Sequence, residues 1–263
     1  MDYFTKIETK PTPDLTWNIP EQAQGTVNII GGNSQNFRTI VKISEYLGTS
    51  YPIKTINTVL PDVLQSKLPN LPNFVFLSST DSGSFANGEE LARTINSANF
   101  NLLLGDLSKN SITAKAIASA CEHAKAPLLI TRDSVDLIAE SSTTERILMN
   151  ENLILFASMP GLIKLFRAVY YPKMLLLSQS LVQVADALHK FTLSYPTSII
   201  TLHNEQILIA RNGEVKSVPL ASSGYQPMTF YSGELAAKTL ALNLYNPHNF
   251  LDATIAAIFK SIK

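Results

Sequence analysis

Residues 26–47, TVNIIGGNSQNFRTIVKISEYL, decide the fold class of this chain. A short run rich in β-branched side chains, from Thr26 to Ile30, ends at a pair of glycines, which is typical of a buried strand followed by a tight turn. From Phe37 to Leu47 the apolar residues recur at the spacing of one helix face. The stretch therefore predicts a strand, a glycine turn and a helix.

The same alternation continues along the chain. We predict strands over 73–78, 100–105, 127–130 and 152–156, helices over 88–98, 111–125, 179–191, 234–245 and 251–262, and a β-meander at one edge of the sheet over 197–218. Short buried strands that alternate with helices indicate a layered α/β domain with a mainly parallel sheet. This single domain is expected over 26–263, after a proline-containing extended arm over 1–25 that Trp17 anchors. We expect the apolar stretch 170–177 to belong to the core.

Composition excludes several classes of protein. The chain has 263 residues, 45% of them hydrophobic, which is enough for a sizeable core, and its 21 basic residues balance 21 acidic ones. The balance gives no basic footprint for a nucleic acid. The single cysteine, Cys121, cannot form an intramolecular disulfide, and the histidines share no metal-ligand spacing. The charged N-terminus and the lack of a long apolar run predict a cytoplasmic protein without a membrane partner.

Ligands of open α/β sheets bind at the carboxyl ends of the strands, so the loops that leave strands are the candidate ligand sites. Four stand out, namely Gly31-Gly-Asn-Ser34, Gly105-Asp-Leu-Ser108, Ser158-Met-Pro-Gly161 and Tyr231-Ser-Gly-Glu234. The last opens a helix, whose unpaired N–H groups and positive dipole end suit a phosphate, and Glu234 can serve there as a general base. Taken alone, the tetrapeptide is explained better by Ser232 as an ordinary helix cap with a favourable first-turn acid.

Six motifs follow one another in a set order along the chain. They are Ile29-Ile-Gly-Gly-Asn-Ser34, Leu104-Gly-Asp-Leu-Ser108, Pro127-Leu-Leu-Ile-Thr-Arg-Asp-Ser-Val135, Ala157-Ser-Met-Pro-Gly-Leu162, Thr201-Leu-His-Asn204 and Tyr231-Ser-Gly-Glu234. Their order and spacing resemble those of the ribokinase-like superfamily, and within it of the ADP- or ATP-dependent NAD(P)H-hydrate dehydratases. The resemblance implies a three-layer α/β/α fold with a mainly parallel sheet and a β-meander near the C-terminal third.

The resemblance also implies a reaction, in which a nucleotide phosphate activates the hydroxyl of a hydrated nicotinamide cofactor and then leaves. The expected ligands are ADP or ATP, Mg²⁺ and NAD(P)H hydrate as the substrate, and a homo-oligomer is possible. By position, Glu234 is the expected base, and the expected nucleotide and phosphate contacts are Tyr231, Ser232, Gly233, His203 and Asn204. The expected substrate contacts are Gly32, Asn33, Ser34, Gly105, Asp133, Met159 and Gly161.

Several positions depart from the family pattern, and the departures cluster at the chemistry. Glu234 replaces an aspartate, Tyr231 a glycine, and His203 a lysine, while Met159 and Leu162 replace polar residues that face the substrate. Two classes of function therefore stay open. One is an active repair dehydratase or a related small-molecule kinase, and the other is a pseudoenzyme that binds a nucleotide or a protein without turnover.

Overall fold

The computed structural model describes residues 2–8, 19–68 and 73–259. The strands are β1 (Phe4–Lys6), β2 (Gln24–Gly31), β3 (Ile53–Pro61), β4 (Phe74–Leu77), β5 (Phe100–Gly105), β6 (Leu128–Thr131), β7 (Leu153–Phe156), β8 (Ser198–His203), β9 (Gln206–Arg211) and β10 (Glu214–Pro219). The helices are α1 (Arg38–Ser50), α2 (Gly88–Asn96), α3 (Ser111–Glu122), α4 (Asp133–Ala139), α5 (Thr144–Leu148), α6 (Met159–Ala168), α7 (Leu181–Ser194), α8 (Glu234–Tyr245) and α9 (Phe250–Ile258).

The strands form one sheet in the order β1-β10-β9-β8-β7-β6-β5-β2-β3-β4. Strands β2 to β8 are parallel, whereas β8, β9 and β10 form an antiparallel meander. The predicted mainly parallel sheet and edge meander are therefore confirmed. Every residue of β5, β6 and β7 is buried, which explains their continuous apolar runs, because helices cover both faces of a parallel sheet.

Two apolar cores lie on opposite faces of the sheet and make the fold three-layered. Side chains alternate between them along each strand, so that Leu102 and Leu104 join the core beneath α1, α8 and α9, while Leu103 joins the core beneath α2 to α7. Because the parallel strands all end at one edge, the loops after β2, β5, β6 and β7 meet there. We call the side of the sheet where the parallel strands have their carboxyl ends the carboxyl edge, and the side where they begin the amino edge.

The structure differs from the sequence-based prediction at several places. Strand β3 and helices α4, α5 and α6 were not predicted, and Met159 lies in α6 rather than in a loop because Ser158 caps that helix. Within the predicted arm, Phe4–Lys6 pairs with β10 as a strand, and Trp17 lies outside the described residues.

The prediction that 170–177 is core is wrong for much of that stretch, since Tyr170 is 92% exposed and Leu177 is 61% exposed. Cys121 is buried and free. In the described part of the chain, no helix combines the length and the apolar character needed to cross a membrane.

Candidate ligand site at the carboxyl edge

Asp133 joins the ends of β5 and β6. Its carboxylate accepts hydrogen bonds from the backbone N–H groups of Asp106 and Leu107, both at 2.9 Å. The approach is possible only because residue 105 is glycine: its φ is +110°, and a Cβ there would lie 2.1 Å from Asp133 Oδ1. Asp133 and Gly105, both predicted substrate contacts, are thus brought together to hold a loop.

Arg132 and Asp106 form an ion pair above this junction. The guanidinium donates to both carboxylate oxygens, at 2.6 and 3.3 Å. Both residues have left-handed backbones, with φ of 59° and 58°, a conformation that is uncommon for residues other than glycine and recurs at functional sites. Neither residue is among the predicted site residues. No local sequence pattern predicts the pair, because its members are 26 residues apart and neither is a glycine, the residue type that would indicate a positive φ.

The loop after β2 completes the junction. Gly32 donates its N–H to Gly105 O at 2.8 Å, and the Asn33 amide donates to Asp106 O at 2.7 Å. Ser34 turns to the loop after β4, where its N–H bonds Gly83 O at 2.9 Å, and its carbonyl accepts from the Lys67 ammonium at 3.1 Å. Gly32 and Asn33 therefore lie at the Asp106 junction, and Ser34 lies beside it.

The turn that opens α8 presents backbone N–H groups unevenly. Gly233 is the capping residue with φ +107°, so the interpretation of Ser232 as the helix cap is wrong. The Ser232 N–H is already bonded to Thr229 O at 3.0 Å. The N–H groups of Gly233 and Glu234, in contrast, find no acceptor among the described residues. Two donors at the positive end of α8 are thus available.

The Glu234 carboxylate is exposed and accepts a hydrogen bond from the Tyr225 hydroxyl at 3.1 Å. Burial, followed by the nearby Glu234 charge, raises the pKa of Tyr225 well above its ordinary value, so the phenol stays protonated and remains a donor. The predicted base therefore has a partner within the chain. It must exchange this hydrogen bond for one to a substrate hydroxyl in order to remove a proton.

Tyr231 ties the same turn to the sheet. Its hydroxyl accepts from the Leu202 N–H at 3.1 Å and donates to Ala157 O at 3.3 Å, and its ring packs edge-on against Phe156 and Phe230. Burial raises the pKa of the phenol. A side chain thus occupies space that a glycine would leave open, and it satisfies backbone groups just after β7 and within β8.

Four other predicted contacts point elsewhere. His203 is 5% exposed and its Nε2 lies 2.7 Å from Gln179 O, so its ring is engaged by the segment that precedes α7. Asn204 lies in the turn between β8 and β9 with φ +47°. Met159 is buried in the core, and the N–H of Gly161 bonds the capping hydroxyl of Ser158.

A cavity of about 560 Å³ opens between these loops, and its walls are Thr39, Arg132, Asp136, Ser158, Met228, Tyr231 and Ser232. Of the predicted site residues, Tyr231 and Ser232 line it. Its charged side chains are paired, Arg132 with Asp106 and Asp136 with Lys164, the latter pair at 2.6 Å. The size suits a small-molecule ligand.

The donor set bears on the expected Mg²⁺. No group of three or more His, Cys, Asp or Glu side chains within 2–8, 19–68 and 73–259 is arranged to hold a metal ion. Magnesium commonly binds through one or two carboxylates together with substrate phosphates. Asp106 and Asp136 are paired with cations and Asp133 accepts from two backbone N–H groups, so of these four carboxylates only that of Glu234, bonded to the Tyr225 hydroxyl, has neither kind of partner.

No protein-family model matches the sequence, and no curated protein does. Solved structures, however, share the fold. A ribokinase-like superfamily protein from Enterococcus faecalis aligns with a TM-score of 0.65 at 14% identity, over 98% of this chain and 86% of that one. Hydroxyethylthiazole kinase from Pyrococcus horikoshii gives 0.55 at 13% identity, over 92% and 79%.

Bacillus subtilis pyridoxal kinase, solved as an ADP complex, aligns with a TM-score of 0.52 at 12% identity, over 90% of this chain and 89% of that one. At such identities the likeness establishes the fold alone. The chain has the ribokinase-like fold, and the named enzymes among these neighbours are kinases.

Proposed function

We propose that the cavity at the carboxyl edge binds a nucleotide of the ADP or ATP type, with its terminal phosphates at the start of α8. The observation that carries the proposal is the pair of unbonded N–H groups on Gly233 and Glu234. These two residues follow Ser232, which lines the same cavity as Arg132. Backbone N–H groups at a positive helix end and a guanidinium are the donors that phosphate oxygens favour. The ADP complex of a kinase with the same fold supports this class of ligand.

The proposed reaction is the attack of a substrate hydroxyl on the terminal phosphorus. Glu234 takes the hydroxyl proton, the oxygen–phosphorus bond forms, and the bond between that phosphorus and the rest of the nucleotide breaks. A product that keeps the phosphate is that of a small-molecule kinase. In a dehydratase the same first step is followed by elimination: the phosphate leaves its carbon and a proton leaves the neighbouring carbon. The substrate of that reaction is NAD(P)H hydrate.

Binding without turnover is the second candidate function, and specific contacts favour it. The Ser232 N–H already bonds Thr229 O, and the Glu234 carboxylate accepts a hydrogen bond from Tyr225. The Tyr231 side chain fills space beside the turn that opens α8. The first two contacts occupy groups that catalysis would use, and the third reduces the space for a phosphate. A displacement of about 1 Å at a reacting group can lower a rate about a hundredfold.

Calorimetric titration with ADP and with ATP, each with Mg²⁺, tests the binding proposal. The native chain should bind, and Arg132→Gln should weaken binding by at least about tenfold, because a charge-assisted contact is lost. Arg146→Gln is the matched control, since Arg146 is also ion-paired, with Glu122, but lies on α5 and does not line the cavity. Failure of the native chain to bind either nucleotide at millimolar concentration would refute the proposal.

Phosphorus NMR then separates the two candidate functions. An active enzyme should consume ATP or ADP in the presence of hydrated NAD(P)H or a hydroxylated kinase substrate, and Glu234→Gln should slow this by about a hundredfold or more. Tight nucleotide binding without consumption supports the pseudoenzyme. Turnover that Glu234→Gln leaves unchanged would exclude Glu234 as the base.

A further inference from the structure

A second cavity, of about 570 Å³, lies at the amino edge of the sheet, opposite the site described above. It opens where β2, β5 and β7 begin and where the antiparallel β9 ends. The end of α8 and the start of α9 close it. Its walls are Gln24, Gly25, Asn99, Phe100, Pro127, Glu151, Asn152, Ile154, Arg211, Asn243, Leu244, Tyr245, Pro247 and Phe250.

Arg211 is the cation of this cavity. Its guanidinium carbon lies 4.8 Å from the centre of the Phe250 ring, and it has no ion pair or hydrogen-bond partner among the described residues. Burial lowers the pKa of Arg211, although a guanidinium stays protonated at any physiological pH. The protein therefore holds a partly desolvated positive charge over an aromatic face, and its N–H donors have no hydrogen-bond partner among the described residues.

Other polar groups limit the charge that a ligand can carry. Glu151 lines the same cavity, close enough to act electrostatically on Arg211. The end of α8, at Leu244 and Tyr245, contributes the negative end of a helix dipole. Both features oppose a dianion such as a phosphate monoester, whereas a single carboxylate matches the planar fork of one guanidinium.

The remaining walls are suited to an apolar body. Phe100, Pro127, Ile154, Leu244 and Phe250 supply apolar surface, and amide side chains surround it. The volume lies in the range of small-molecule pockets, which bury an apolar body against few oriented polar groups. We propose that the amino edge binds a small molecule that carries one carboxylate, held by Arg211, on an apolar body.

Titration with benzoate, followed by NMR or calorimetry, tests this site. Benzoate should bind, and benzamide, which lacks the charge, and phenyl phosphate, which carries more, should each bind at least about tenfold more weakly. Absence of benzoate binding at concentrations up to about 10 mM would overturn the proposal. Equal or tighter binding of phenyl phosphate would overturn the single-carboxylate assignment.

Variants locate the binding. Arg211→Gln should weaken benzoate binding at least about tenfold, whereas Arg167→Gln, an exposed arginine on α6 that also lacks an ion pair among the described residues, should not. Arg211→Lys keeps the charge and loses the fork, so it serves where Arg211→Gln does not fold, and it should weaken binding severalfold. Binding that Arg211→Gln or Arg211→Lys leaves unchanged would overturn the proposal.

Glu151→Gln gives a readout in the opposite direction. Removing the carboxylate should tighten benzoate binding about twofold or more, since a repulsive charge is lost from the cavity. A merely structural role for these residues predicts no such gain, and weaker benzoate binding in Glu151→Gln would contradict the charge argument. Nucleotide titrations of Arg211→Gln should match those of the native chain, which keeps this test independent of the carboxyl edge.

Discussion

The two edges of the sheet differ in how their polar groups are used. At the carboxyl edge Arg132 pairs with Asp106, Glu234 accepts from Tyr225, and the Tyr231 hydroxyl bonds two backbone groups. At the amino edge the Arg211 guanidinium and the buried Tyr245 hydroxyl lack hydrogen-bond partners within the described residues. These polar side chains of the carboxyl edge are therefore engaged within the chain, whereas two polar side chains of the amino edge have no hydrogen-bond partner among the described residues.

The largest expected effect comes from breaking the carboxyl-edge junction. Gly105→Ala places a Cβ at 2.1 Å from Asp133 Oδ1 on a backbone with φ +110°, so unfolding free energy should fall by at least about 2 kcal/mol. Gly48→Ala is the matched control. Its Cβ meets only Ile56 Cδ1 at 3.6 Å, and alanine favours the helix, so the change should be neutral or stabilising.

Urea unfolding of the two variants measures the difference. Equal stability of Gly105→Ala and the native chain would show that the loops after β5 and β6 do not meet as described. If Gly105→Ala folds, nucleotide titration of this variant tests whether the junction also positions Arg132, because displacement of Asp133 should move its neighbour Arg132.

A smaller effect distinguishes Tyr231 from Tyr245. Tyr231→Phe leaves the Leu202 N–H and the Ala157 carbonyl without their partner and should cost about 1 to 2 kcal/mol. Tyr245→Phe removes a buried hydroxyl that has no partner among the described residues, so it should be neutral or stabilising. Thermal or urea unfolding of both variants measures this, and a reversed order would mean that the carboxyl edge is not the internally bonded one.

The smallest effect is a pH dependence at the amino edge. Burial raises the pKa of Tyr245 to about 12 from an ordinary value near 10, so the phenol ionises first in the unfolded chain. Its contribution to stability is complete below about pH 10 and falls between about pH 10 and pH 12. Comparison of urea midpoints at about pH 8 and pH 10.5 should show a smaller loss in Tyr245→Phe than in the native chain. An identical loss would contradict the assignment.

Regular elements with a strong pattern could be predicted from the sequence. The bounds of β5 and α8 agree with the prediction, because one is an apolar run stopped by glycine and the other is a helix rich in alanine and leucine. Strand β3 was missed because polar residues such as Lys54 and Asn57 interrupt its apolar pattern. Asn57 in fact donates to Asn28 in a buried amide ladder, which residue-by-residue hydropathy does not reveal.

The candidate site could be predicted in position but not in detail. The motifs correctly indicated which loops gather at the carboxyl edge, since parallel topology alone brings them together. Which groups remain free depends on long-range contacts, such as Arg132 with Asp106 and His203 with Gln179, that no local pattern encodes. The roles proposed for Glu234 and for the turn before α8 remain predictions.

Amide NMR of the labelled chain during titration with ADP and Mg²⁺ tests the central claim most directly, because it reports where the nucleotide binds. The N–H signals of Gly233 and Glu234 should shift strongly, together with those of residues beside Arg132, while Gly25 and Phe100 at the amino edge stay unchanged. Shifts confined to the amino edge, or none at saturating nucleotide, would contradict a nucleotide site at the start of α8.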